Sequence, residues 1–358
     1  EQVVHTLEWV RIEEFTGKSW CGVGRPPLER AWLANAFVAK AVLGLATTAG
    51  LRERLMIDRA LRRICGFPLC KRLPCEATFS RAFSEFAEAG LGQGVHKALI
   101  MEHLGDQLIG HLSRDGTAIE ARERPARKEM PAIEPAATVP SSRLPAEEIA
   151  AETTTPETPA PARKRGRPRR GEVRGAVKAS PIERQRGQTL AQMLPEIPTA
   201  CDRGTKCNAQ GYKNSWCGYK LHLDTADFGV PIAALLSSAS MHDSLAAIPL
   251  SLISAERVTN LYDLMDAAYC SSELREHSRS LGHVPLIDHN PRRGPKIEFA
   301  PAEAVRYHER TAAERSNARL KDEFGGKTLR VQGPVKVMSH LMFGILALSA
   351  DQLMRLRQ

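Results

Sequence analysis

Aromatic residues are scarce in this sequence, at 5% of 358 residues, and no long apolar run is present. The longest strongly apolar run, residues 341–348, is far shorter than the roughly 18 residues that a membrane-spanning helix requires. Residues 1–10 lack the basic head and apolar stretch of a secretion signal. These absences predict a cytoplasmic protein that has no membrane partner.

Closely spaced cysteine pairs are also absent. Zinc sites usually contain cysteines separated by two residues, and disulfide frameworks are typical of small secreted domains. The cysteines of this chain fit neither pattern, so we expect reduced thiols at Cys21, Cys65, Cys70, Cys75, Cys201, Cys207, Cys217 and Cys270.

Basic charge is concentrated in one segment. The net charge is +9, and residues 163–186 alone hold ten basic and two acidic residues, which favours a polyanionic partner. Within this cluster Arg-Gly-Arg-Pro looks like the core of an AT-hook, so Arg165 and Arg167 are predicted to enter an A·T-rich minor groove. Non-specific phosphate binding by a flexible basic segment is the alternative. Both interpretations predict a nucleic-acid partner.

Residues 125–200 divide the sequence into two parts. This stretch has no Phe, Trp or Tyr, and nine of the 23 prolines lie between positions 125 and 168, so it cannot build an apolar core. We predict a low-complexity basic insertion. Before it, apolar residues at three-and-four spacing predict a helical domain over residues 1–106, with helices in segments 27–48, 51–65 and 77–109.

Strands mix with helices in the remainder, residues 107–124 and 201–358. Two extended segments that start at Gly218 and Val230 predict a hairpin with its turn near Asp227. This mixture indicates an α/β layer fold. Further strands are predicted at 258–266 and 284–288, and helices at 244–253, 271–281, 302–324 and 337–355.

Segment 76–86 of the helical domain has two interpretations. It is predicted to form a short recognition helix that turns Thr78, Ser80 and Arg81 toward DNA. A packed helical bundle with a polar face accounts for the same pattern. The sequence leaves both open.

Four side chains of different chemistry share one face of the predicted helix 302–324. At 100° per residue, Tyr307, Arg310, Glu314 and Lys321 fall within a stripe roughly 60° wide. A carboxylate, two cations and a phenol suit a site that holds a metal and phosphates together. A solvated face with ion pairs is the alternative, but this spacing would arise by chance only about 0.002 times in such a composition.

The spacing resembles the Tyr-Arg-Glu-Lys signature of bacterial insertion-sequence transposases of the DDE class. Ser113-Arg-Asp-Gly-Thr is similar to the first catalytic strand of that family, and Asp266-Ala-Ala-Tyr is similar to its second Asp motif. Gly218-Tyr-Lys-Leu-His and Met241-His-Asp-Ser also resemble family segments, and the helical region before Asp115 resembles the N-terminal DNA-binding part. The resemblance covers most of the chain outside the insertion.

The resemblance implies a ribonuclease H-like core and a catalytic set of Asp115, Asp266 and Glu314, which would bind two divalent ions, Mg²⁺ or Mn²⁺. Magnesium prefers carboxylate oxygens, and paired ions in phosphoryl-transfer sites lie roughly 3.5–4 Å apart. Tyr307, Arg310 and Lys321 would contact DNA phosphates. The implied partners are double-stranded DNA, as element ends and target, and a second copy of the chain on that DNA. The implied location is the nucleoid in a bacterial cytoplasm.

Each implied ligand on the strands has a competing interpretation. Asp115-Gly-Thr is also a common turn sequence. Asp263 and Asp288 compete with Asp266 as the second carboxylate. Asp243 lies in a family-like segment but is equally suited to cap the helix that follows it, so it stays outside the catalytic set.

The leading hypothesis is a DDE transposase that hydrolyses a phosphodiester at the element end and joins the freed 3′-OH to target DNA. A domesticated or inactive transposase that only binds DNA is the first alternative. A nuclease of the same fold without strand transfer is the second. The presence of all three acidic candidates favours the enzyme.

Overall fold

A computed structural model describes residues 1–17, 28–125, 179–207, 210–291 and 295–357. The predicted insertion lies outside these residues over positions 126–178, and with it lie Arg165 and Arg167 of the AT-hook-like motif.

The predicted helical N-terminal region is confirmed. Thr47 Oγ1 accepts a hydrogen bond from the Gly50 N–H at 3.0 Å, and Asp58 Oδ1 accepts one from Leu61 N–H at 2.9 Å, so both residues cap helix starts. Gly90 takes a left-handed φ of 61°, which suits a residue without a Cβ and lets the chain turn between two helices. The helices are α1 (Gln2–Val10), α2 (Arg30–Val42), α3 (Thr48–Ile57), α4 (Arg59–Ile64), α5 (Glu76–Glu88) and α6 (Leu91–Leu104).

A six-stranded mixed sheet forms the centre of the second part. Its strands are β1 (Leu108–Glu120), β2 (Asp202–Cys207), β3 (Lys213–Ala226), β4 (Pro231–Ser238), β5 (Thr259–Met265) and β6 (Val284–Ile287). The order β4-β3-β1-β5-β6 combines antiparallel pairs of β3 with β1 and β4 and parallel pairs of β5 with β1 and β6, while β2 pairs with the first half of β3. The predicted α/β class is therefore confirmed, and the arrangement is consistent with a ribonuclease H-like core.

Helices cover both faces of the sheet. They are α7 (Pro181–Gln185), α8 (Leu190–Met193), α9 (Ser244–Ala255), α10 (Ser272–Ser280), α11 (Pro301–Tyr307), α12 (Thr311–Asp322) and α13 (Pro334–Leu356). The predicted continuous helix 302–324 is wrong, because a 3-10 turn at His308–Arg310 separates α11 from α12. Two side chains compete for backbone carbonyls there: Ser113 Oγ donates to Glu309 O at 3.3 Å and Thr311 Oγ1 to His308 O at 3.1 Å.

Two helices, α7 and α8, lie before the predicted end of the insertion at residue 200. Ser180 and Glu183 form a reciprocal capping box at the start of α7, and Gln185 Nε2 donates to Leu245 O of α9 at 3.0 Å. Met193 of α8 is fully buried beside α9. The overlooked signal was the Ser-x-x-Glu spacing, which marks a helix start even in a polar segment.

Helix α13 joins the helical region to the sheet. Its Phe343 ring lies 5.6 Å from Phe37 and 6.1 Å from Phe83, measured between ring centroids, and one apolar cluster includes these rings and side chains of β1, β3 and β4. Among the described residues α13 is the only helix long and apolar enough to span a membrane, but 78% of its most apolar window is buried inside the protein. That burial is typical of a core helix.

A buried ion pair connects β1 to β3 on the face covered by α9. Arg114 and Asp224 are 3% and 0% exposed, and two parallel hydrogen bonds of 2.7 Å join guanidinium and carboxylate. Ser254 of α9 donates to the same carboxylate at 2.6 Å. Burial alone would lower the pKa of Arg114, but Asp224 raises it above its ordinary value, so the guanidinium is charged.

Breaking this pair is expected to destabilise the fold strongly. Arg114→Met leaves the buried Asp224 carboxylate without its partner, and breaking a buried ion pair in this way typically costs about 3–5 kcal/mol. The double variant Arg114→Met/Asp224→Leu is expected to recover most of this loss because no unpaired charge remains. Urea unfolding of the three proteins checks the prediction. A single variant within about 1 kcal/mol of wild type would contradict it.

Candidate active site on the α12 face of the sheet

Asp115 and Asp266 lie side by side at neighbouring strands. The parallel ladder between β1 and β5 ends with Arg114 opposite Met265, so the next residue of each strand is one of the two aspartates. Because side chains alternate along a strand, both point away from the Arg114 face. Burial, with the Asp266 carboxylate adding to it, raises the pKa of Asp115 to about 6, although Lys206 and Arg310 oppose the rise.

The environment of Asp266 is similar. Burial raises its pKa, while a hydrogen bond from the Ala268 N–H at 2.9 Å and the charges of Arg310 and Lys206 oppose the rise. The same bond makes Asp266 the cap of a short 3-10 turn. Two partly desolvated carboxylates therefore share one face of the sheet.

The two alternatives to Asp266 as the second carboxylate, Asp263 and Asp288, are bound to other side chains. Asp263 lies opposite Leu112 in the ladder, hence on the Arg114 face, and it accepts hydrogen bonds from Ser278 at 2.6 Å and from His283 at 3.1 Å. Burial alone would raise the pKa of Asp263, but His283 and Arg114 hold it below its usual value. Asp288 forms an ion pair with Lys296 at 3.1 Å.

Helix α12 presents Asn317, and not Glu314, directly to Asp115. Asn317 is 5% exposed, and its Nδ2 donates to Asp115 Oδ2 at 3.0 Å. Glu314 has a side chain that is 53% exposed, and it accepts a hydrogen bond from Arg310 at 2.5 Å. Within the described residues, no group of three or more His, Cys, Asp or Glu side chains is close enough to hold one metal ion. The three-carboxylate set remains a prediction.

Asn317 was missed by the sequence reasoning. It follows Glu314 by three residues, so both lie on neighbouring positions of one helix face. The available signal was a polar amide at a helix position whose neighbours Ala313, Ser316 and Leu320 are small or apolar. The structure shows that these neighbours are all buried. A buried amide needs a partner, and Asp115 supplies it.

Three cationic side chains interact electrostatically with one or both aspartates: Lys206, Arg310 and Lys321. Arg310 interacts electrostatically with both, and its guanidinium lies 5.9 Å from the centre of the Tyr307 ring. Burial lowers the pKa of Lys321, and the nearby Lys206 lowers it further. Burial raises the pKa of Tyr307 to about 12, and its hydroxyl donates to the backbone oxygen of Met265 at 3.2 Å. Three of the four residues of the predicted stripe thus lie near the aspartates despite the interrupted helix, as does the unpredicted Lys206.

Two family models match the chain. Residues 195–350 match the model described as Transposase DDE domain, and residues 1–85 match the model described as Transposase domain (DUF772). Together they account for two thirds of the sequence. The chain belongs to the DDE transposases. No curated protein and no solved structure matches it.

The two matched regions of this transposase leave Asp115 between them, whereas Asp266 and Glu314 fall inside the matched DDE domain. The match shows the family, and the Tyr-Arg-Glu-Lys signature itself stays a resemblance.

Behind Asp115 the transposase leaves little free space. A Cβ placed on Gly116 would lie 3.1 Å from His222 Nδ1 and 3.2 Å from Asp243 Oδ1. Asp243 occupies the cap position of α9, but its carboxylate does not cap the helix; it accepts a hydrogen bond from Lys220 Nζ at 2.8 Å. The Gly-Tyr-Lys-Leu-His and Met-His-Asp-Ser segments therefore meet behind β1 and support the strand that carries Asp115.

The donors on the α12 face of the sheet fit a divalent metal ion chemically. Asp115 and Asp266 are hard oxygen donors that disfavour each other's charge, and a cation would relieve this repulsion. Asn317 Oδ1 is buried and has no hydrogen-bond partner within the described part of the chain. Carboxylate and amide oxygens are the ligand types that Mg²⁺ and Mn²⁺ accept.

A basic cleft lies in the helical region, on one side of α5. Its volume is about 1150 Å³, and its walls include Arg62, Lys71, Arg72, Thr78 and Arg81. The opposite side of α5 is apolar and packs into the core through Phe79, Ala82, Phe83 and Phe86. The structure confirms that α5 is a packed helix. Thr78 and Arg81 line the cleft on its accessible side, and their contact with DNA stays a prediction.

Asp115→Asn is expected to make the metal-free protein more stable at neutral pH. The folded state raises the pKa of Asp115 from 3.8 to about 6, so ionisation destabilises the fold. This penalty is absent below about pH 4, grows as the pH rises through 6 and is constant above it. We expect an advantage of about 3 kcal/mol for the variant at pH 7.5 and little difference at pH 4.

Thermal unfolding at both pH values, with chelator present, checks this expectation. Asp322→Asn, which removes an exposed carboxylate from α12, is the matched control and should follow wild type. An Asp115→Asn difference that is the same at both pH values would contradict the assignment.

Proposed function

We propose that this transposase cleaves DNA at the ends of its mobile element and joins the freed end to target DNA, using Asp115, Asp266 and Glu314 with two Mg²⁺ or Mn²⁺ ions. The observation that carries the proposal is the adjacent, partly desolvated pair Asp115 and Asp266, whose carboxylates both interact with Lys206 and Arg310. Divalent ions at such a site activate an attacking oxygen and stabilise the leaving one.

Each protein side chain has a defined part in the proposal. Asp115 and Asp266 supply carboxylate oxygens from rigid strands, and Asn317 fixes the orientation of Asp115 through the 3.0 Å hydrogen bond. Glu314 lies one helical turn before Asn317 and is bound to Arg310 in the free protein. When a DNA phosphate takes Arg310 as its partner, the Glu314 carboxylate is released to complete the set.

Phosphate contacts come from the same face. The planar Arg310 guanidinium suits bidentate binding of a phosphate, and Lys321 is a compact point charge for a second one. Tyr307 holds the backbone next to Asp266 through its hydroxyl and offers its ring edge to the DNA. We add Lys206 to this group because its charge acts on both aspartates.

Binding of the DNA backbone near the element ends belongs to the helical region in this proposal. Residues 51–81 carry eight Lys or Arg and three Asp or Glu, and Arg72 and Arg81 line the cleft beside α5. Basic clefts of this kind bind the phosphate backbone. Arg165 and Arg167 are proposed to add minor-groove contacts, and two copies of the chain are proposed to act together on paired ends.

Two variants are expected to separate cleavage from binding. Glu314→Gln should reduce metal-dependent cleavage of element-end DNA at least about 100-fold because a ligand is lost, while affinity for the DNA is retained. Arg72→Ala/Arg81→Ala should weaken binding about equally for all duplexes, since phosphate contacts carry no sequence information. Gel assays with the flanking inverted repeats measure both quantities.

Glu309→Gln is the matched control because Glu309 is exposed on the same segment, and it should cleave like wild type. Normal cleavage by Glu314→Gln would reject the catalytic proposal. A wild-type protein that binds element ends and never cleaves them would support the DNA-binding alternative, and cleavage without a joined product would support the nuclease alternative.

A further inference from the structure

We propose that a second pocket, built around Lys40, binds a phosphate group, either in a nucleic-acid backbone or free in solution. The pocket has a volume of about 440 Å³ and opens between α2, α3, α5 and the segment that follows α12. It is separate from the catalytic face. The polar residues that line it include Lys40, Thr47, Thr48, Glu76, Arg122 and Arg330.

Lys40 is a buried cation for which the described residues supply no counterion. The residue is 8% exposed, and no carboxylate in the described part of the chain forms an ion pair with its amine. Burial lowers the pKa of Lys40 to about 8. Burial and the charge of Lys40 together lower the pKa of the neighbouring His340 to about 4, so His340 does not add a competing charge at neutral pH. An unpaired buried ammonium is costly, and an anion in the pocket would offset that cost.

The rest of the lining favours an anion with several oxygens. Arg122 and Arg330 are exposed at the pocket, and Glu76 is its only acidic residue among those described. Helix α3 begins at Thr48, so the positive end of its dipole lies at the pocket wall. A phosphate can accept hydrogen bonds from ammonium, guanidinium and hydroxyl groups at once.

Helix α5 lies between this pocket and the basic cleft. Ser80 lines the Lys40 pocket, whereas Thr78 and Arg81 line the cleft. A nucleic-acid backbone that crosses α5 would therefore bring one phosphate to Lys40 and others to the cleft. This gives the phosphate two possible sources, which the experiment distinguishes.

The first measurement is thermal unfolding of the full chain with increasing inorganic phosphate at constant ionic strength. Phosphate is expected to raise the melting temperature of wild type, because a ligand that binds only the folded state stabilises it. Lys40→Met keeps the apolar stem but removes the charge, so it should fold and lose this response. Lys97→Met, which removes an exposed lysine paired with Glu256, should respond like wild type.

The second measurement is the affinity for duplex DNA as a function of salt concentration. If the phosphate belongs to the DNA backbone, Lys40→Met should weaken binding and reduce the salt slope by about 1. If only the phosphate response is lost and DNA binding is unchanged, the pocket takes free phosphate. Identical behaviour of Lys40→Met and wild type in both measurements would overturn the proposal. Should Lys40→Met fail to fold, Arg330→Gln at the same pocket is measured instead, with the same expectations.

Discussion

The alternation of side chains along β1 is the constraint on which the candidate site depends. Arg114 turns to one face, where the buried pair with Asp224 fixes the register between β1 and β3. Asp115 then has to point to the other face, where Asn317 donates a hydrogen bond to it and the Asp266 carboxylate lies near it. A slip of one residue would exchange the faces of every side chain on the strand. The buried pair of Arg114 with Asp224 and the position of Asp115 on the opposite face therefore both follow from one strand register.

The apolar core extends this constraint to the helix that carries Glu314. Gly344 of α13 lies so close to α12 that a Cβ there would be 2.6 Å from Phe324 O and 2.9 Å from Leu320 Cδ1. The same helix α13 packs on α2, α5 and α6. The helical region and the sheet consequently share one core and are not independent modules. The same packed helix α13 holds α5 in the helical region and α12 on the sheet.

The fold was largely predictable because its signals are local. The hairpin turn near Asp227 and the strand before Asp266 follow from spacing and turn chemistry. The contact between Asn317 and Asp115 joins residues that are 202 positions apart, so no local pattern contains it. The 3-10 turn at His308–Arg310 interrupts the predicted helix, and its Glu309 carbonyl accepts a hydrogen bond from Ser113, a residue of a distant strand that no local pattern contains. Lys206 and the Lys40 pocket are likewise products of tertiary packing.

The most direct test is a titration of the metal-free protein with Mn²⁺, followed by calorimetry. Asp115 and Asp266 form one cation site in this account, so Asp115→Asn and Asp266→Asn should each lose the tightest binding step. Asp288→Asn, which removes a carboxylate held by Lys296, should keep it. Equal Mn²⁺ affinity in wild type and both site variants would contradict the account.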